Sequence, residues 1–165
     1  MDHLVKCEQC GLEHSVDEME LTFRRPDDVI ALSAEERKRL VQENSNLCTI
    51  GEGRYFVRAV LPLPVEGREL PYNIGLWVEV DHSAFDKVRE LWSDPNQAEE
   101  PPFEVHIAND IPTLPPSSGL KATLHLTGPT TRPKVLLAPV LHPLALEQTK
   151  GITAHRAHEY TSLFA

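Results

Sequence analysis

Arg54-Tyr-Phe-Val-Arg-Ala-Val-Leu61 is the stretch that decides the fold of this chain. Its aromatic and β-branched residues favour an extended strand. Leu47-Cys-Thr-Ile50 precedes it, and Gly51-Glu-Gly53 lies between the two segments as a hairpin-type turn. The segment from Tyr72 to Val80, which contains Gly75-Leu-Trp-Val78, predicts a second long strand. The centre of the chain therefore predicts β-structure whose strands follow one another through turns.

The strand pattern continues in the second half of the chain. Phe103-Glu-Val-His-Ile107 predicts a short strand, and Leu120-Lys-Ala-Thr-Leu-His-Leu126 alternates between apolar and polar residues. The alternating segment is expected to pair with Lys134-Val-Leu-Leu-Ala138 through a turn over residues 128–133. Consecutive strands joined by tight turns indicate a largely antiparallel sheet.

Four helices are predicted around this sheet. Ser33-Ala-Glu-Glu36 has the pattern of a capping box, so a helix is expected from about residue 34 to 44. A short helix is predicted over residues 83–92, Pro143 suits the first turn of another, and a terminal helix is predicted over 152–163. The predicted class is α+β, a largely antiparallel β-sheet with a few packed helices and a zinc-knuckle-like turn at the amino terminus.

Length and charge restrict the class of protein and of partner. A chain of 165 residues has the length of one domain. We therefore predict a single domain over residues 1–165, with the cysteine-containing segment 1–23 packed on the sheet. The formal net charge of −9 repels phosphate backbones and anionic lipid surfaces, so neither nucleic acid nor a membrane is an expected partner. An acidic surface favours a protein partner with a basic surface, and the oligomeric state is left open.

The cysteine count and the amino terminus bear on the compartment. The first residues lack the apolar core of a secretory signal, and no apolar stretch approaches the ~18 residues that span a bilayer. Three cysteines, an odd number, argue against a disulfide framework. The expected location is a reducing cytoplasm.

Cys7-Glu-Gln-Cys-Gly-Leu-Glu-His14 is a compact cluster of soft ligands. Two thiols in a C-x-x-C turn can direct both sulfur atoms at one point, and zinc favours a tetrahedral shell of thiolate and imidazole. We predict a structural zinc ion held by Cys7, Cys10, Cys48 and His14. Because protein atoms fill all four positions, such a metal stabilises the amino-terminal segment and cannot hold a substrate water.

Two alternatives to this zinc site stay open. Cys48, between Leu47 and Ile50, also suits a small buried hydrophobic residue, and His14 suits a surface or capping position. A redox function of the C-x-x-C pair is the second alternative. That motif normally opens a helix after a strand, and Gly11 is a poor helix start.

Histidines form a second group of candidate site residues. His142 follows a predicted strand and precedes a predicted helix, so it is placed either to face a cleft or to bond to the backbone of a turn. His155 and His158 have the spacing of one helix face, which suits a metal or a solvated surface equally. Arg58 and Trp77 either frame a pocket or lie on the exposed face of the sheet.

The order of these landmarks resembles that of the DUF2199 family of uncharacterised bacterial proteins. The matching segments are Cys7-Glu-Gln-Cys-Gly-Leu-Glu-His14, Leu47-Cys-Thr-Ile50, Tyr55-Phe-Val-Arg58, Gly75-Leu-Trp-Val78, His142-Pro-Leu-Ala-Leu-Glu-Gln148 and Gly151-Ile152. The resemblance implies a single-domain prokaryotic protein without an assigned activity, so it implies no catalytic residues. It departs at Phe103-Glu-Val-His-Ile107, where the family pattern has a tryptophan-containing stretch.

Two functions are consistent with these patterns. We favour a non-enzymatic cytoplasmic binding or regulatory domain with a structural zinc ion, because a closed ligand set comes without an acid–base or nucleophile motif. The alternative is a metal-dependent hydrolase that uses His142 with His155 or His158 and an open coordination position. Whether the chain is an enzyme stays open, and no catalytic residue is assigned.

Overall fold

The computed structural model describes residues 4–6, 13–15 and 19–163. Within them the strands are β1 (Leu4–Lys6), β2 (Glu13–Ser15), β3 (Val41–Glu43), β4 (Leu47–Ile50), β5 (Arg54–Leu63), β6 (Tyr72–Val80), β7 (Phe103–Ile107), β8 (Lys121–His125) and β9 (Lys134–Leu137). The α-helices are α1 (Asp27–Ile30), α2 (Ala34–Leu40), α3 (His82–Glu90), α4 (Pro143–Lys150) and α5 (Ala154–Ser162). Gln97–Glu99 forms a single 3₁₀ turn.

The main sheet holds its strands in chain order, from β3 to β9. Each neighbour in that order is antiparallel, and the β5–β6 pair is the longest, running from Tyr55 opposite Val80 to Leu63 opposite Tyr72. The last strand returns to the first long one: β9 pairs in parallel with β5, with Val60 opposite Lys134. This contact closes β5 to β9 into a five-stranded barrel.

The principal core fills the inner face of this barrel. Every second residue of β5 from Val57 to Leu63 is fully buried, as the period of two requires when one face is apolar. Three helices pack against this core. α3 contributes Phe85 and Val88, and α4 and α5 contribute Leu144 and Tyr160.

The segment after residue 18 pairs with the first half of β6. The Gly75 backbone N–H donates to the Leu21 carbonyl at 2.9 Å, and the Phe23 N–H donates to the Gly75 carbonyl at 2.8 Å. A Cβ atom at position 75 would lie 2.9 Å from Thr22 Oγ1, so glycine allows the two backbones to approach.

Asn109 lies in the loop after β7 and forms hydrogen bonds to β6 and to the segment after residue 18. It is fully buried, and its Oδ1 accepts from the Trp77 N–H at 2.8 Å. Its Nδ2 donates to the Arg25 carbonyl and to Asp27 Oδ1, both at 2.9 Å. One amide therefore satisfies backbone groups of two segments that lie far apart in the sequence, together with the Asp27 carboxylate.

The α+β class and the largely antiparallel sheet predicted from the sequence are confirmed. The capping box is present, since Ser33 Oγ accepts from the Glu36 N–H. The predicted helix over 34–44 is too long, because Val41 takes an extended conformation and begins β3. The helix predicted from residue 83 begins at His82 instead, with Asp81 as its cap.

Two further points concern membrane-spanning helices and the extent of the domain. Among the described helices, none is long and apolar enough to cross a bilayer. The single-domain prediction for residues 1–165 and the packing of residues 1–23 on the sheet stay predictions, because residues 7–12 and 16–18 lie outside the described part of the chain.

Candidate functional site

An acidic groove runs between α3 and the segment that leads into β7. It has a volume of about 760 Å³. Its acidic lining residues are Asp81, Asp86, Glu90, Glu100 and Glu104. Pro102 and Phe103 also line it, so the groove combines acidic side chains with two apolar ones.

The amphipathic pattern of α3 places carboxylates in this groove. Ala84, Phe85 and Val88 are buried against the sheet, so Asp86 and Glu90 occupy the solvent side of the helix. Asp81 lies at the amino terminus, where its carboxylate accepts from the Ala84 N–H at 2.7 Å.

Cations within the groove neutralise only part of its charge. His82 Nε2 lies 3.1 Å from Asp86 Oδ2, and Lys87 Nζ lies 3.9 Å from Glu90 Oε1. Asp81, Glu100 and Glu104 form no ion pair with any residue that the structure describes. The groove is therefore negative in net charge and can attract a cationic group from solvent.

Cys48 lies in a second, smaller core on the outer face of the sheet. The residue is 1% exposed and packs with Val29, Phe56, Trp77 and Ala108. Burial raises the pKa of its thiol to about 11, and the charge of Glu43 adds to this shift. This environment suits the small buried hydrophobic residue that the sequence left open as an alternative.

Of the other predicted zinc ligands, His14 alone is among the described residues. Cys7 and Cys10 fall outside the described residues, and the backbone of His14 pairs with Val5 in the β1–β2 hairpin. Within the described residues, no group of three or more His, Cys, Asp and Glu side chains has the arrangement of a metal site. The set Cys7, Cys10, Cys48 and His14 therefore stays a prediction.

His142 caps α4 and bonds to the backbone at both ring nitrogens. Nδ1 accepts from the Leu144 N–H at 3.0 Å, which leaves Nε2 to donate to the Pro115 carbonyl at 3.0 Å. The side chain is buried, at 6% exposure. The backbone-bonded turn histidine is the alternative that this geometry supports, since a ring with two occupied nitrogens has no lone pair for a metal.

The two histidines of α5 contact neighbours on their own helix. His155 Nε2 lies 3.9 Å from Glu159 Oε1, and His158 Nε2 lies 3.4 Å from Ser162 Oγ. The hydrolase that combines His142 with His155 or His158 consequently gains no support from the described geometry.

A polar cluster between α4 and α5 was not predicted. Arg156 Nε donates to Glu147 Oε2 at 2.9 Å, and the Tyr160 hydroxyl donates to Glu147 Oε1 at 2.6 Å. The Arg156 guanidinium lies 4.3 Å from the centre of the Tyr160 ring. Burial, followed by the hydrogen bond to Glu147, raises the pKa of Tyr160. The cluster holds the two helices together, and its partners are satisfied within the protein.

The comparison with known protein families gives one match. The model of the family described as "Uncharacterized protein conserved in bacteria (DUF2199)" matches residues 6–152, which is most of the chain. The chain belongs to the DUF2199 family. The resemblance inferred from the sequence is thereby confirmed, and the DUF2199 match includes the C-x-x-C segment, the barrel and the acidic groove. No curated protein and no solved structure matches the chain.

Proposed function

We propose that this DUF2199 chain is a non-enzymatic binding domain whose acidic groove takes a lysine- or arginine-rich segment of a protein partner. The observation that carries the proposal is the set of three carboxylates, Asp81, Glu100 and Glu104, without an ion-pair partner among the described residues. The Phe103 ring beside them can contact the aliphatic stem of a bound lysine or arginine.

The expected affinity follows from the exposure of these groups. An exposed ion pair contributes about 0.2–1 kcal/mol, so two or three such pairs strengthen binding by a modest factor. Salt screens exposed charges over about 8 Å at physiological ionic strength. Binding of a basic segment should therefore weaken as salt concentration rises.

A labelled oligolysine peptide tests the groove by fluorescence anisotropy. The double substitution Glu100→Gln and Glu104→Gln should weaken binding roughly twofold to thirtyfold, because each lost carboxylate removes one charge pair. Glu66→Gln with Glu69→Gln is the matched control, since it removes the same charge from exposed residues outside the groove. Equal losses in the two double variants would show that net charge, rather than the groove, holds the peptide.

A structural zinc ion in a cytoplasmic protein is the second part of the proposal. The β1–β2 hairpin supports it, because the pairing of Lys6 with Glu13 brings together the two ends of the segment that contains Cys7 and Cys10. His14 follows one residue later on β2. Free thiolates for zinc require a reducing compartment, so the cytoplasm belongs to the same proposal.

Metal analysis of the purified protein tests the zinc ion. We expect about one zinc per chain, and Cys7→Ser should lose the metal and lower the melting temperature. Zinc that is absent from the wild type, together with an unchanged melting temperature in Cys7→Ser, contradicts the clamp. Cys48→Ala separates the two interpretations of that residue: loss of zinc assigns it as the third thiolate, and retained zinc assigns it to the core alone.

A further inference from the structure

A cluster of cations lies on the outer face of the barrel, at the point along β5 where the neighbouring strand changes from β4 to β9. β4 pairs with the first part of β5, up to Leu47 opposite Val57, and β9 pairs with it further on, at Val60. Arg58 lies between these two contacts. Its backbone N–H donates to the Asn46 carbonyl at 2.9 Å, and its Nη1 donates to the Ser45 carbonyl at 3.1 Å.

The parallel register places a second arginine beside Arg58. Val60 lies opposite Lys134, and the Val60 N–H donates to the Pro133 carbonyl at 2.9 Å. Arg58 in β5 and Arg132 in the turn before β9 each lie two residues before this contact, so the register brings their backbones close together. Burial, followed by the positive charge of Arg132, lowers the pKa of Arg58.

Arg58 lacks the carboxylate partner that three other half-buried arginines of the chain have. Arg25, Arg54 and Arg156 each donate to a carboxylate at 2.9 Å or less. Neither Arg58 nor Arg132 makes an ion pair within the described part of the chain. The Nε atoms of Arg58 and Arg37 are both buried without a hydrogen-bond partner, so this feature is not particular to Arg58.

The Trp77 ring and Lys134 both lie beside the arginine pair and favour the binding of an anion there. The Arg58 guanidinium lies 6.0 Å from the centre of the buried Trp77 ring, which supports it from one side. Lys134 is exposed and lies opposite Val60 in the β5–β9 register, two residues beyond the arginines on each segment, so a third cation borders the arginine pair. Adjacent guanidinium groups match the several oxygens of one tetrahedral anion better than they match a single carboxylate.

We propose that Arg58 and Arg132, bordered by Lys134, bind a tetrahedral phosphate dianion, either free or as the monoester group of a small molecule. A phosphate oxygen between the two guanidinium groups relieves their mutual repulsion and accepts hydrogen bonds from both of them. This site is separate from the acidic groove, because none of its three cations lines that groove.

Isothermal titration with inorganic phosphate, at an ionic strength held constant with sodium chloride, tests the proposal. We expect saturable binding to the full chain, and Arg132→Gln should weaken it at least tenfold. Arg132 is exposed, so the variant should keep the wild-type melting temperature. Arg39→Gln removes the same charge from an exposed helix residue and should bind phosphate as the wild type does. Equal affinities in the wild type and in Arg132→Gln, or no saturable binding at all, would overturn the proposal.

The same titration distinguishes the two sources of phosphate. Glycerol 3-phosphate that binds more tightly than inorganic phosphate, with the same loss in Arg132→Gln, supports a site for phosphate monoesters. Inorganic phosphate that binds as tightly or more tightly supports a site for the free anion. Arg58→Lys keeps the charge and removes the guanidinium fork, so a loss of affinity in that variant supports the proposed geometry.

Discussion

Tyr160 shows how burial changes the chemistry of a single residue. Its side chain is 1% exposed, and its hydroxyl donates to Glu147 Oε1 at 2.6 Å. Burial and this hydrogen bond raise the pKa of Tyr160 above its ordinary value of 10.0. The unfolded chain therefore loses this proton near pH 10, whereas the folded chain keeps it to a higher pH. The free energy of unfolding should fall as pH rises above 10.

Tyr160→Phe tests this titration at the residue. Near pH 8 the variant should be about 1–2 kcal/mol less stable than the wild type, because Glu147 loses a buried donor. By about pH 11 the gap should narrow by up to roughly 1.4 kcal/mol, since only the wild type carries the raised pKa. Urea unfolding at both pH values measures the gap, with Tyr55→Phe as a control whose hydroxyl bonds to Glu52 at the surface. A gap that stays constant contradicts the prediction.

At the scale of elements, the pairing of residues 21–23 with β6 depends on glycine at position 75, which has no side chain to contact Thr22. Gly75→Ala places a Cβ atom 2.9 Å from Thr22 Oγ1 and 3.0 Å from Thr22 Cγ2. Relief of this contact requires the segment to move away from β6, so the hydrogen bonds of Gly75 to Leu21 and Phe23 should lengthen. We expect a loss of roughly 1–3 kcal/mol, typical of an overpacked site.

Thermal or urea unfolding of Gly75→Ala measures this loss. Gly53→Ala is the matched control, because a Cβ atom there meets no atom within 4 Å. The control should change stability by a few tenths of a kcal/mol at most. A Gly75→Ala variant as stable as the control would show that Thr22 can rotate away without a cost.

For the whole molecule, a net charge of −9 conceals two surfaces of opposite sign. The acidic groove uses α3 and the approach to β7, whereas the Arg58–Arg132 cluster uses the junction of β5 and β9. Because their residues do not overlap, the effects of substitutions at the two surfaces should add. Arg132→Gln should leave oligolysine binding unchanged, and the Glu100→Gln, Glu104→Gln double variant should leave phosphate binding unchanged.

The elements that the sequence predicted best are those with strong local patterns. Strands β4 to β9 follow from alternation, β-branched residues and turns, and the cap at Ser33 follows from its partner Glu36 three residues on. The end of α2 was missed, because Arg37-Lys-Arg39 favours helix while Val41 is drawn into β3 by its pairing with Ile50. In this case the tertiary contact outweighs the local preference.

The candidate sites were less accessible to sequence reasoning. The sequence pattern singles out Arg58 but not Arg132, because their proximity depends on the parallel contact of β9 with β5 across more than seventy residues. The acidic groove likewise joins carboxylates of α3 to Glu100 and Glu104. No short motif encodes this proximity, and the excess of acidic residues predicted only an acidic surface, without its position.

By itself the sequence determined the α+β class, most strands of the sheet, the net charge and membership of the family, since each rests on the kinds of residues and their order along the chain. Only the tertiary structure decided the closure of the barrel, the burial of Cys48 and His142, and the position of each charged surface. The physical reason is distance along the chain. Periodicity and turn preferences act over a few residues, whereas these features arise where packing brings remote side chains together.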